Sequence, residues 1–336
     1  MSSKISIIIP TRNEEKYLEN CLLSILEGAD SDFESEIFVV DGKSNDRTLQ
    51  IVKQISKHYP NVYLITNEMK TTPYAINLGI KESAGDFIFI ISAHAEYPPD
   101  YFRKLVAWSQ KLNADCVGGV LKTETLDNTQ KSKAIQFVLS NKWGVGNAFF
   151  RTGVNYVCEV DTVAFGCYHK SVFEKFGLFN TKLTRNQDIE FNLRIKNGGG
   201  KIYLVPDVKA TYFARNNFSA FAKNNFKNGL WNILTVLYTH DFSALSMRHF
   251  VPLAFVLSII IPLILSIFYF PFIFFSVSIL LIYLSLITTI SFRCKPKKLN
   301  LFYALASFLL LHFSYGSGSL LGTIKILPLF LFKNRK

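Results

Sequence analysis

Ile5-Ser-Ile-Ile-Ile-Pro10 is an apolar run of strand length, and it breaks off into the polar turn Thr11-Arg12-Asn13-Glu14. A strand without polar alternation belongs to a sheet covered on both faces, so helices must flank it in sequence. They do. Glu15 to Leu26 carries Leu18, Leu22 and Leu26 at helical spacing, and Thr48 to His58 and Pro73 to Ser83 read as further helices. Strand runs separate them at Glu36 to Val40, Val62 to Thr66 and Phe87 to Ile91. This alternation predicts an α/β domain on a mostly parallel sheet. Ligands of such sheets bind beyond the carboxyl ends of the strands, so Thr11, Arg12, Asp41 and the segment that begins at Ser92 are the first candidates for a site. The turn after the first strand is no GxGxxG and the chain has no Walker loop, which argues against a dinucleotide or P-loop site.

Farther along, Val251 to Phe292 runs for 42 residues without Asp, Glu, Lys, Arg or His. At about 20 residues per crossing this predicts two membrane helices, 251–270 and 272–292, hinged near Tyr269-Phe270-Pro271, and Leu301 to Ile324 predicts a third. All 25 acidic residues precede Val251, where they meet 29 basic ones; the other eight basic residues stand unopposed. Most of the net charge of +12 therefore reads as membrane-anchoring charge and not as a nucleic-acid surface. Arg293, Lys295, Lys297 and Lys298 place their short loop in the cytoplasm by the positive-inside rule, and the N-terminal domain, two crossings earlier, falls on the same side of a multi-pass cell-membrane protein. The basic tail 333–336 is then external, unless Gly316-Ser317-Gly318-Ser319 and Pro328 break the last run into a partial helix. Met-Ser-Ser-Lys-Ile at the start lacks the apolar stretch of a secretory signal. Five cysteines, odd in number and without CxxC or Cys/His ligand spacing, fit reduced packing residues. The expected partition is a domain over 1–217, an amphipathic connection over 218–250, and a membrane region over 251–332. Phe218 to Tyr238 fits either an interfacial helix or a core-facing one.

The segments Ile7-Ile-Ile-Pro-Thr-Arg-Asn-Glu14 and Val39-Val-Asp-Gly-Lys-Ser-Asn-Asp-Arg-Thr48 resemble the opening of the family 2 inverting glycosyltransferases of GT-A fold. The resemblance continues through Gly85-Asp86 to His94, Val160-Asp-Thr-Val163, Gly166-Cys-Tyr-His169, Phe173-Glu-Lys-Phe-Gly177 and Asn186-Gln-Asp-Ile-Glu-Phe-Asn-Leu-Arg194. Within the family the chain is most similar to the succinoglycan glucosyltransferase type, including Arg248-His-Phe-Val-Pro252 where the apolar part begins.

What the resemblance implies is transfer of a sugar from a nucleotide-sugar donor to an acceptor hydroxyl, with inversion at the anomeric carbon. Asp41, with Thr11, Arg12 and Glu14, would line the donor pocket; as a turn residue Asp41 also suits capping of Ser44. Ser92, Lys70, Asn77 and Arg215 are further donor-side candidates, and Asp161 an acceptor-side one. The family's Asp-x-Asp metal motif stands here as Ser92-Ala93-His94, which leaves His94 as the expected ligand of a divalent cation, Mg²⁺ or Mn²⁺, against the plainer role of a turn histidine. Asp188 is the expected catalytic base, although the acid that usually precedes it is Gln187; its alternative is a carboxylate favoured at a helix N-terminus. Members built this way act on polyprenyl-linked acceptors at the bilayer. Transfer to polyprenyl phosphate itself, or a binding subunit that has lost catalysis, are the alternatives.

Overall fold

The computed structural model describes residues 4–29, 33–239 and 246–333. The chain opens as β1 (Lys4–Thr11), α1 (Leu18–Ala29), β2 (Glu34–Asp41), α2 (Thr48–His58), β3 (Val62–Thr66), α3 (Thr72–Glu82) and β4 (Phe87–Ile90). Alternate residues of β1 serve opposite faces of the sheet, as the two-residue strand period requires. Ile5, Ile7 and Ile9 enter one core with Leu18, Leu22 and Val52, while Ile8 enters another with Ile76 and Ile80 of α3. Ser6 shares the second face and donates to Glu36 at 2.5 Å, so no polar group is stranded there. Each fully buried Ile or Leu contributes about 1.5–3 kcal/mol. α1 starts at Leu18 and not at Glu15, because the N–H groups of Tyr17 and Leu18 first close a turn on Glu14 O.

Next come β5 (Ala95–Glu96), α4 (Tyr101–Leu112), β6 (Cys116–Glu124), α5 (Gln130–Leu139), α6 (Lys142–Val145), α7 (Phe149–Thr152), β7 (Cys158–Glu159), β8 (Ala164–His169), α8 (Ser171–Phe176), α9 (Gln187–Asn197) and β9 (Ile202–Phe213). The strands form one mixed sheet in the order β3-β2-β1-β4-β8-β6-β9-β5, with β7 on β9. It is parallel across β3, β2, β1 and β4, where the strand reading was made, and antiparallel where β8 pairs β4 and β6.

Two compact units emerge. The first comprises Met1–Lys122 and Phe149–Phe213, the second Thr123–Ala148 and Ala214–Lys336. Lys and Arg balance Asp and Glu in the first, 22 against 22, whereas the second holds 15 against three and so carries the whole net charge. In the second unit lie α10 (Phe218–Thr239), α11 (Val251–Leu265), α12 (Phe272–Cys294) and α13 (Leu301–Lys333). Three stretches there, Met247–Leu265, Phe272–Cys294 and Leu301–Leu327, are long and apolar enough to cross a membrane. α13 runs unbroken through Gly316 to Ser319 and Pro328. Gly316 and Gly318 are points of close helix approach, where a Cβ would run into Pro252 O and Phe226 O. Of the basic tail, residues 334–336 lie outside the described residues. The five cysteines are unpaired, and Cys21, Cys116 and Cys167 are buried.

α9 is locked by Arg194. Its Nε and Nη2 donate to Glu190 at 2.6 and 3.0 Å, and Nη1 and Nη2 donate to Phe176 O and Leu178 O at 2.5 and 2.8 Å. Glu190 is nearly buried while Arg194 is 34% exposed, so removal of the guanidinium strands a buried carboxylate at somewhat less than the full cost of a buried pair. Arg194→Met is expected to destabilise the first unit by about 2–3 kcal/mol, read as a lower unfolding midpoint in detergent; an unchanged midpoint would show that the clamp is dispensable.

Candidate active site

At the carboxyl end of β1 the backbone turns through Asn13, which holds the left-handed conformation at φ 56°. Side chains from the loop after β2 then stitch the two loops together. Asn13 N–H donates to Ser44 Oγ at 2.8 Å, Asn45 N–H to Asn13 Oδ1 at 2.9 Å, and Glu14 N–H to Thr48 Oγ1 at 2.9 Å. Glu14 is thereby held half-buried over the sheet end. The segment after β4 rises beside it: Ser92 N–H donates to the buried Tyr97 hydroxyl at 3.0 Å, which in turn donates to Ser92 O at 3.2 Å. His94 follows, its Nδ1 3.2 Å from Ser92 Oγ and 3.3 Å from Glu14 Oε1, its ring edge-on to Tyr17 and Tyr212.

Glu14, Ser92 and His94 line a cavity of about 420 Å³ together with Thr11, Arg12, Lys70 and, from the start of α9, Asp188. That volume lies in the range of small-molecule sites. Thr11 is buried, its hydroxyl spent on Ile9 O at 2.9 Å, and Arg12 is exposed at the rim. In the wall beside Lys70, Thr71 Oγ1 is buried and lacks a hydrogen-bond partner. Desolvation raises the Asp188 carboxyl above the ordinary range, against the N–H groups of Ile189 and Asp188 itself, which lower it. Asp188 is nevertheless exposed, so the desolvation is partial. Beneath it, Tyr168 donates to Asn192 Oδ1 at 3.2 Å and Asn192 to Thr162 Oγ1 at 3.0 Å, a buried chain that fixes the floor of α9.

The expected residues do not all converge. Asp41 is buried, with its carboxylate engaged by Ser44 N–H at 2.9 Å and Ser44 Oγ at 2.5 Å; Gly42, not Asp41, lines the cavity. Asn77 is also withheld. Its carboxamide donates to Phe179 O and accepts from Phe179 N–H, at 2.8 and 2.9 Å, so it fixes Phe179 in the wall instead of facing a ligand. Asp161 is exposed and outside the lining, and Arg215 is an exposed residue of the second unit. Conversely, sequence reasoning missed Phe165. It lines the cavity at φ 54°, its carbonyl accepting from the buried Tyr101 hydroxyl at 3.0 Å, and its ring packs on Tyr97 and Tyr212. A bulky residue held left-handed is strained, and nothing in a linear sequence announces it.

No group of three or more His, Cys, Asp or Glu able to hold a metal ion is present among the described residues. Hard divalent cations, however, take one or two protein ligands and complete their shell with substrate phosphates and water. Glu14 and His94, with the Ser92 hydroxyl adjacent, fit that smaller role and no larger one.

Glycosyl transferase family 2 matches residues 6–177. The chain is 32% identical over 233 residues to the dolichyl N-acetyl-α-D-glucosaminyl phosphate 3-β-D-2,3-diacetamido-2,3-dideoxy-β-D-glucuronosyltransferase of Methanococcus voltae, covering 67% of this chain and 71% of the relative. It is 27% identical over 217 residues to the succinoglycan biosynthesis protein ExoA of Rhizobium meliloti, covering 64% of each. Among solved structures, that of S. aureus TarS 1-349 in complex with UDP-GlcNAc superposes with a TM-score of 0.53 at 16% identity, covering 94% of this chain and 91% of that one. At such identity the likeness concerns the fold, and it is the GT-A arrangement expected above.

If Glu14 and His94 hold a cation together with a diphosphate, Glu14→Gln and His94→Ala should each weaken Mn²⁺ binding measured in the presence of UDP by about tenfold or more. Unchanged Mn²⁺ affinity in both variants would remove the pair from the ligand set.

Proposed function

The chain belongs to glycosyl transferase family 2, and we propose that it moves a sugar from a nucleoside diphosphate donor to a hydroxyl of a polyprenyl-linked glycan, inverting the anomeric carbon. The observation that carries this reading is the meeting of Asp188 with Arg12, Glu14, Lys70 and His94 in one cavity at the strand ends. In the proposed step the acceptor oxygen attacks the anomeric carbon as the bond from that carbon to the diphosphate oxygen breaks. Asp188 takes the hydroxyl proton, and its raised affinity for protons makes it a better base than an ordinary aspartate. Arg12 and Lys70 face the negative charge that builds on the departing diphosphate, a use of fixed charge that often dominates such catalysis. Glu14 and His94 are the residues that would hold a divalent cation, which would supply further positive charge against the departing diphosphate. Phe165 offers an apolar wall for the sugar ring.

The named activity of the Methanococcus voltae relative supports a lipid-linked acceptor. So do the three apolar helices, since a tethered catalyst shares the two-dimensional space of its lipid and gains effective concentration. The basic residues Arg293, in the last turn of α12, and Lys295, Lys297 and Lys298, in the turn before α13, support a cytoplasmic position for the catalytic unit in the cell membrane.

The test is a panel of UDP- and GDP-sugars offered to membranes that contain the chain, with lipid-linked oligosaccharides and with polyprenyl phosphate as acceptors. Wild type should extend the oligosaccharide, and Asp188→Asn should be slower by about 10²–10⁴-fold with donor binding retained. Full activity in Asp188→Asn would withdraw the base; saturable donor binding without transfer by wild type would favour a binding subunit; transfer to polyprenyl phosphate alone would replace the acceptor. The base must be ionised to act, so activity should fall on acidification, and the raised proton affinity moves that fall to higher pH than a free aspartate would give. A plateau extending down to pH about 4 would contradict the role given to Asp188.

A further inference from the structure

The twelve residues Asn228 to Thr239, the second half of α10, contain no charged side chain. The buried side carries polar and apolar groups together, Asn232 and Thr235 beside Ile233 and Val236. Gly229, Asn232 and Thr235 are buried, whereas Trp231, Leu234 and Leu237 are only partly covered and Tyr238 is exposed. On the inner side the Asn232 carboxamide donates to the Tyr315 hydroxyl of α13, and Ser319 Oγ donates to Gly229 O at 3.2 Å. The Thr235 and Thr239 hydroxyls donate to the carbonyls one turn back, Trp231 O and Thr235 O, at 2.7 and 2.9 Å. On the outer side the Trp231 and Tyr238 rings stack at 6.2 Å. A surface helix in water shows the reverse arrangement. Polar groups satisfied between helices, small residues at the crossing and an apolar exterior are the pattern of helices that associate within lipid.

Depth follows from the partner. α10 touches α13 first where the Phe218 and Tyr303 rings meet at 6.2 Å, and again where Gly229 meets Tyr315 O and Ile233 meets Gly322. Both chains thus advance in the same direction, and the tight crossing at Tyr315 to Gly322 falls well inside the apolar stretch Leu301–Leu327. Residues in van der Waals contact share a level in the bilayer. The exposed Lys223 and Lys227 sit on the first half of α10, where their long stems can lift the charge toward the headgroups.

We propose that the second half of α10 is a fourth membrane-embedded helix, its outer face of Leu230, Trp231, Leu234 and Leu237 in contact with lipid acyl chains. This rests on the membrane reading of α11, α12 and α13. Hydropathy alone does not mark it, because polar residues such as Asn232, which bonds to α13, lower its average.

Single cysteines test it in the full chain, in open membrane fragments, on a background of Cys158→Ser and Cys294→Ser. Leu234→Cys reports on α10, Ser219→Cys on its exposed start, and Leu281→Cys on the exposed apolar face of α12. A membrane-impermeant maleimide should label Leu234→Cys and Leu281→Cys about tenfold or more slowly than Ser219→Cys. Labelling of Leu234→Cys as fast as Ser219→Cys, with Leu281→Cys slow, would overturn the proposal alone; fast labelling of both would overturn the membrane reading on which it rests. As a check without substitutions in α10, Trp231 in a Trp108→Phe, Trp143→Phe chain should be quenched by lipids brominated on their acyl chains. Absence of quenching would contradict acyl-chain contact.

Discussion

Thr11 on β1, Asp41 on β2 and Thr66 on β3 stand opposite one another in the parallel ladder, and just past them the chain must turn. The first N–H groups beyond the strand ends stay bonded to the sheet, Gly42 to Thr11 O at 2.8 Å and Asn67 to Asp41 O at 2.7 Å. Every loop that follows therefore starts from the same edge with its side chains free for other work. The cavity exists because parallel strands end in register and helices return behind them. Glu14 and Lys70 reach it from these loops, Ser92 and His94 from the loop after β4, and Asp188 from a helix pinned by Arg194.

Rigidity is unevenly distributed, and that distribution suits a transferase. Asp41 spends its carboxylate on Ser44, and Asn77 spends its carboxamide on Phe179, so both act as braces behind the lining. Among the residues that line the cavity, Arg12, Lys70, Glu14, His94 and Asp188 are those able to carry charge. Desolvation raises the Asp188 carboxyl, whereas Glu14 lies 3.3 Å from His94 Nδ1.

The strands on which the site hangs were legible in the sequence because both faces of β1 and β2 are buried, which forces continuous apolar runs at Ile5 to Ile9 and Ile37 to Val40. Thr11, Arg12 and the segment at Ser92 followed from that, since a strand end in such a sheet is a place where ligands gather. What the sequence hid has more than one cause: Asp41 is engaged by Ser44, three residues on, and other contacts lie far apart along the chain. The partner of Asn77 lies 102 residues away at Phe179, and Glu14 meets His94 only because two separate loops fold over one sheet edge. Phe165 gave no warning, as side-chain type does not foretell a left-handed backbone in a bulky residue. α10 was ambiguous because an amphipathic pattern does not say which face is wet, and its buried face mixes Asn232 and Thr235 with Ile233 and Val236.

The reaction proposed for this cavity is a single displacement at the anomeric carbon, with a base on the acceptor side and fixed charge on the donor side. The anomeric configuration of the product, read from the proton coupling constant of the newly linked sugar in its NMR spectrum, tests it most directly. The account predicts a configuration opposite to that of the nucleotide-sugar donor. A product that keeps the donor's configuration would contradict it, because retention demands a second displacement or attack on the donor's own face, and the place given to Asp188 provides for neither.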